Sequence, residues 1–121
     1  MSSGGQASPP PELAPDLAMI RLRAALTSTD PRVRAESIAR AGRAPGVESL
    51  LIGALEDAHP LVRQAAVRAL ARRQGPASAR ALMRSASSDP ASPVRLEAVA
   101  AIGRLLQTRL RPGPPGRPPP G

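Results

Sequence analysis

Arginine is the polar side chain this sequence supplies in quantity: the 17 Lys and Arg residues are all Arg, set against 9 Asp and Glu, 1 His and no Cys. A guanidinium carries a permanent charge and a planar fork of donors that grips carboxylates and phosphates through two bonds at once. It recognises anions and is a poor acid or base at neutral pH. A catalytic centre needs convergent His, Cys or paired carboxylates, and these are scarce. His59 stands alone before Pro60, where it suits a turn or helix cap better than a metal. No Gly-rich phosphate loop and no His-Glu ligand pair occurs. No catalytic, metal-binding or cofactor-binding residue is expected, and the chain is expected to be non-enzymatic.

The arginines worth following recur at fixed places. "VRAESIARAGR" begins at Val33, "VRQAAVRALAR" at Val62 and "VRLEAVAAIGR" at Val94, so one 11-residue block occurs at steps of 29 and 32 residues. Each copy opens Val-Arg, has Ser or Ala fifth, Ile or Val sixth, Gly or Ala tenth and Arg eleventh. In the middle copy Val62, Ala66, Ala69 and Leu70 form the apolar stripe of an amphipathic helix. The third, seventh and eleventh places then share the opposite side. They give a ridge of Gln64, Arg68 and Arg72, with Arg43 and Arg104 at the eleventh place of the outer copies and Arg73 alongside. Stacked helices would set Arg43, Arg72 and Arg104 in a file roughly 8–10 Å apart. These six residues are the candidate partner-binding set, and an acidic protein surface is the expected partner. Phosphates of a nucleic acid suit the same arginines, although single-strand binders usually stack bases on aromatic rings and this chain has none. Lys, Asn, Phe and Tyr, all encoded by AT-rich codons, are absent. A GC-rich genome would give that pattern, so the net charge of +8 does not by itself point to a polyanion.

The elements that must position these residues are helices. Six internal prolines, at 31, 45, 60, 76, 90 and 93, mark joints, because Pro is tolerated in a first helical turn and disrupts a helix interior. Between them the spacing predicts helices over 15–27, 31–43, 46–57, 60–74, 77–88 and 93–110, with no strand. Leu22, Leu51 and Met83 each lie 11 residues before the Val of a block, so the repeating unit is a helix pair. The units run over 15–44, 45–75 and 76–110. Each turn before a second helix, "STDPRVR", "EDAHPLVR" and "SSDPASPVR", carries Asp and Pro ahead of Val-Arg, and Asp suits the positive end of a helix. Glu36 and Arg40, four apart on one helix, suggest a surface ion pair.

Taken together, "LLIGALEDAHPLVRQAAVRALARR" and its two partial copies resemble HEAT-like repeats, in particular the short bacterial kind named after phycobilisome lyase subunits. The resemblance implies an all-α fold, a short α-solenoid of three helix pairs whose second helices line a concave, partner-binding side. It also implies a structural ladder between units in which Asp57, Arg63, Asp89 and Arg95 take part. Asp30 sits three residues before Val33, whereas Asp57 and Asp89 sit five before theirs, which sets the first rung apart. The resemblance extends to a role as accessory subunit of a lyase-type enzyme.

With no Phe, Tyr or Trp, the core must be aliphatic and closely packed. Residues 1–14 and 111–121, rich in Pro, Gly and Ser, are expected to be a disordered leader and tail outside the 15–110 domain. The tail's "RLRPGPP" formally fits a Pro-rich ligand for aromatic grooves, though a linker suffices. No segment has the roughly 20 apolar residues of a membrane helix, and a soluble cytoplasmic protein is expected. The last helix carries Leu96, Leu106 and Leu110 beyond its core positions Val94, Ala98, Ile102 and Leu105. That is too much apolar surface for a terminal cap, and points to docking on another protein or a second copy.

Overall fold

The computed structural model describes residues 14–110, so the expected leader and the tail lie outside the described residues, Ala14 apart. Six helices follow one another: α1 Ala14–Ala25, α2 Pro31–Ala41, α3 Glu48–Ala54, α4 Pro60–Ala71, α5 Pro76–Ser88 and α6 Ser92–Leu110. The prolines act as expected, with Pro31, Pro60 and Pro76 each in a first helical turn. Asp30 caps α2 by accepting the Arg32 N–H, and His59 caps α4 by accepting the Leu61 N–H on Nδ1 at 3.1 Å. Helix α3 is shorter than predicted because Gly46, at φ 82°, delays its start and its last residues turn toward Asp57. Helix α4 stops before 74 because Gln74 takes the left-handed conformation, φ 59°.

The pairs stack: α2 packs on α4 and α4 on α6, while α1, α3 and α5 flank them. The result is the all-α solenoid expected from the sequence. Leu22, Ile38, Leu51, Val62, Val67, Leu70, Leu82 and Val94 form a continuous aliphatic core, with alanines filling the closest approaches. Expectation and structure part at Met83, which is 59% exposed while Leu82 is fully buried. Leu82 precedes Asp89 by seven residues and Leu51 precedes Asp57 by six. The extra residue lies within α5 and shifts its buried phase by one place.

Neighbouring units are tied by arginine forks. Arg34 on α2 donates from Nε to Asp57 Oδ2 at 2.9 Å and from Nη2 to Oδ1 at 3.0 Å. Arg63 on α4 repeats this with Asp89 at 2.9 and 3.2 Å. In both, Nη1 donates to a carbonyl six residues earlier, Ser28 for Arg34 and Asp57 for Arg63. The aspartates are held in turn by backbone N–H groups two residues on, His59 and Ala91. The ladder thus runs from each second helix to the turn of the following unit. It includes Arg34, whose rung the shorter Asp30 spacing sets apart in the sequence and which pairs with Asp57. Asp30 serves as a cap and is no rung, and Arg95 meets no carboxylate within bridging distance among the described residues. Glu36 and Arg40 are likewise not bridged.

Close approach is set by Gly42 at the end of α2: a Cβ built there would lie 2.8 Å from the Ala69 Cβ. Gly103, at the same tenth place of its block, meets nothing within 4 Å among the described residues. Gly42→Ala should therefore cost about 1–3 kcal/mol through overpacking. Gly103→Ala should stabilise α6 by about 0.5–1 kcal/mol. Circular dichroism melts of the two variants against the parent check both signs. Asp89→Ala strands Arg63, 8% exposed, and is expected to lower unfolding free energy by about 3 kcal/mol, read from urea titrations followed by the same signal.

Candidate functional site

The eleventh-place arginines converge as the block spacing predicts. Arg43, after α2, Arg72, after α4, and Arg104, on α6, line one cleft of about 360 Å³ together with Gln74, Leu105 and Thr108. All three are exposed, and among the described residues none lies within bridging distance of a carboxylate. On the other side of Arg43 and Arg72 the surface continues into a second depression, of about 540 Å³, shared with Pro45, Glu48 and Arg73. Glu48 there accepts the Ser78 hydroxyl at 2.7 Å, a bond that ties α3 to α5. Three guanidinium groups, side by side on stacked helices and without an ion-pair partner among the described residues, can hold carboxylates or phosphates.

The other three candidates bond within the fold, Arg68 while remaining exposed. Arg73 is half-buried and donates from Nη1 to the Gly42 and Ala44 carbonyls, each at 3.0 Å. It closes the open end of α2, as a basic side chain near a helix C-terminus does. Gln64 donates to Glu97 Oε1 at 3.3 Å and Arg68 donates to the same oxygen at 3.2 Å. Stacking places the fourth place of the third block, on α6, across from the third and seventh places of the second, on α4, so the ridge is partly consumed by its own neighbour. In the first pair the corresponding places hold Ala35, Ala39 and Ala65, with nothing to pair. Glu97 was not identified from the sequence; its signal was a carboxylate in a block whose middle copy has Ala there.

Burial alone pushes the Asp57 carboxyl up, but the Arg34 fork, the His59 N–H and the Arg34 charge outweigh it and hold it below its ordinary 3.8. Glu97 behaves alike: burial raises it, while bonds from Arg68 and Gln64 and the charges of Arg68 and Arg104 bring it below its ordinary 4.5.

The helix pairs, the Val-Arg blocks and the repeated forks describe one repeat seen three times, and HEAT repeats match the chain over residues 19–103. The chain belongs to the HEAT repeat family. No curated protein matches it significantly. In this HEAT-repeat chain the described residues contain no group of three or more potential metal ligands, and none of the described helices is long and apolar enough to cross a membrane.

A carboxylate whose pKa is lowered on folding adds stability above its unfolded value, and that contribution is lost as the pH falls through its folded value. The thermal midpoint should hold from neutrality down to about pH 5 and then decline as Glu97 and Asp57 protonate. Asp57→Asn should start from a lower midpoint at neutral pH and show a shallower acid decline. Melts in a graded buffer series test this.

Proposed function

We propose that this chain is a non-enzymatic protein-interaction or scaffold module that seats an acidic surface of a partner protein on Arg43, Arg72 and Arg104, with the apolar outer side of α6 as a further contact. HEAT repeats generally mediate protein–protein interaction. The observation that carries the more specific reading is the convergence of the three arginines on one cleft, with no carboxylate within bridging distance of any of them among the described residues. An exposed arginine with no internal partner contributes little to folding, and its placement beside two others makes a surface complementary to clustered negative charge. The absence of any aromatic ring favours carboxylates over the bases of a single-stranded nucleic acid. The five-residue step from Asp to Val in the second and third turns supports the phycobilisome-lyase kind of repeat, for which an enzyme would be the partner. A cytoplasmic setting belongs to the same proposal.

The test is a pull-down with the immobilised full-length chain, from lysate treated or not with nuclease, comparing the parent with Arg43→Glu/Arg104→Glu. Both variants are checked by circular dichroism and quantified by peptide-bond absorbance. A protein retained after nuclease treatment, with recovery falling about tenfold or more in the double variant, is expected. Recovery that disappears with nuclease would transfer the cleft to nucleic-acid phosphates. Equal recovery by both variants would reduce the arginines to a solvated surface.

A further inference from the structure

The outer side of α6 repeats the contacts that join one unit to the next, but with nothing among the described residues against it. Three places in the block show this. At the sixth, Ile38 and Val67 are 0% exposed, whereas Val99 is 54% exposed. At the tenth, Gly42 lies close against Ala69, whereas Gly103 faces open space. At the second, Arg34 and Arg63 each clasp an aspartate of the following unit. Arg95 is held in the same pose, with Nη1 on the Asp89 carbonyl at 2.7 Å, six residues back, and Nη2 on Ser92 Oγ at 2.9 Å. Its Nε meets no acceptor among the described residues. A glycine inside an exposed helix costs about 1 kcal/mol relative to alanine, and the Arg95 fork has no carboxylate among the described residues. Both are accounted for by a neighbour that is still to be seated. Leu106, 55% exposed, extends the apolar side by two further turns.

A second copy of this chain fits the surface poorly. Stacked head to tail, it would present its first unit, in which Arg40 occupies the eighth place filled by the buried Ala69 and Ala101 elsewhere. It would also offer Asp30, two residues nearer its Val-Arg than the rung aspartates. Stacked tail to tail, two α6 helices would bring together Arg95, Arg104 and Arg109, and the one carboxylate on α6, Glu97, is already held by Arg68 and Gln64.

We infer that the α6 face docks a helix pair of the same repeat kind on another polypeptide, one that offers an aspartate in the turn before its inner helix to Arg95 and a small residue to Gly103. The inference rests on the interaction-module reading and names a second surface within it. The docked helix pair completes the third fork, covers Val99 and Leu106, and prolongs the solenoid across two chains.

The experiment places a photo-cross-linking side chain at Val99 in the full-length chain, expressed in cells of its source, and sequences the cross-linked peptide. The expected adduct is a different polypeptide, joined within a helix pair whose turn carries Asp. Its yield falls about tenfold or more with Arg95→Gln, which removes a charged fork, and with Gly103→Leu, which blocks close approach; dichroism confirms that both variants fold. An adduct to the chain itself, a yield indifferent to both substitutions, or no adduct overturns the inference. If the pull-down retains its partner while Val99 gives no adduct, the module reading stands and this inference falls. If neither recovers a protein, both fall.

Discussion

The fork from an arginine at the start of one inner helix to an aspartate in the next unit's turn is the constraint around which this molecule is arranged. Arg63 and Asp89 are both buried, at 8% and 7% exposed, and a buried charge is tolerated only when its partner and its remaining hydrogen bonds are all in place. The arrangement meets that condition from both sides: the guanidinium is anchored to a carbonyl of its own unit, and the carboxylate to an N–H of its own turn. Neither group is free to search for the other. Distance and rotation between adjacent units are therefore set together, and the five-residue step from Asp to Val follows from the need to present the carboxylate at that point.

The second constraint is closeness. Without aromatic rings the core gains little area from any single side chain, and the aliphatic layer must be thin. Ala66, Ala69, Ala98 and Ala101 are all essentially inaccessible, and Gly42 leaves no room for even a methyl against Ala69. Short side chains at these places let stacked helices approach until Ile38, Val67 and Leu70 fill what remains. Charge and closeness act on the same contact, because a fork that fixes the spacing would be strained by any bulk between the helices.

Much of this was legible in the sequence, because a three-fold repeat exposes its rules by repetition. The helix pairs, the proline joints, the His59 cap and the Arg43, Arg72 and Arg104 file all follow from block positions. Met83 was misplaced because counting back from Val94 assumes equal spacing, and α5 holds one residue more between its core leucine and Asp89. The Arg34 rung looks irregular in the sequence because Asp30 stands in its own turn, whereas its carboxylate, Asp57, comes from the following one. Gln64, Arg68 and Arg73 all bond to the neighbouring unit, Arg68 while remaining exposed, and this is hidden in the sequence because a single helix shows which residues leave its core but not which of them meet the neighbouring helix. That information exists only between units, in the opposition of Glu97 to Gln64 and Arg68 and of Arg73 to the carbonyls closing α2.

The middle unit alone contributes to both forks, giving Asp57 to the first pair and Arg63 to the third. Every other strong tie is also between immediate neighbours, so cooperativity is passed along the stack and has no direct path from α1 to α6. The amide protons of α4 are consequently the last to be reached by solvent, and opening begins at the outer pairs and moves inward. Protection against hydrogen exchange would then form a gradient centred on Val62–Leu70, with the two ends of the stack fraying independently around a shared, slowly exchanging middle.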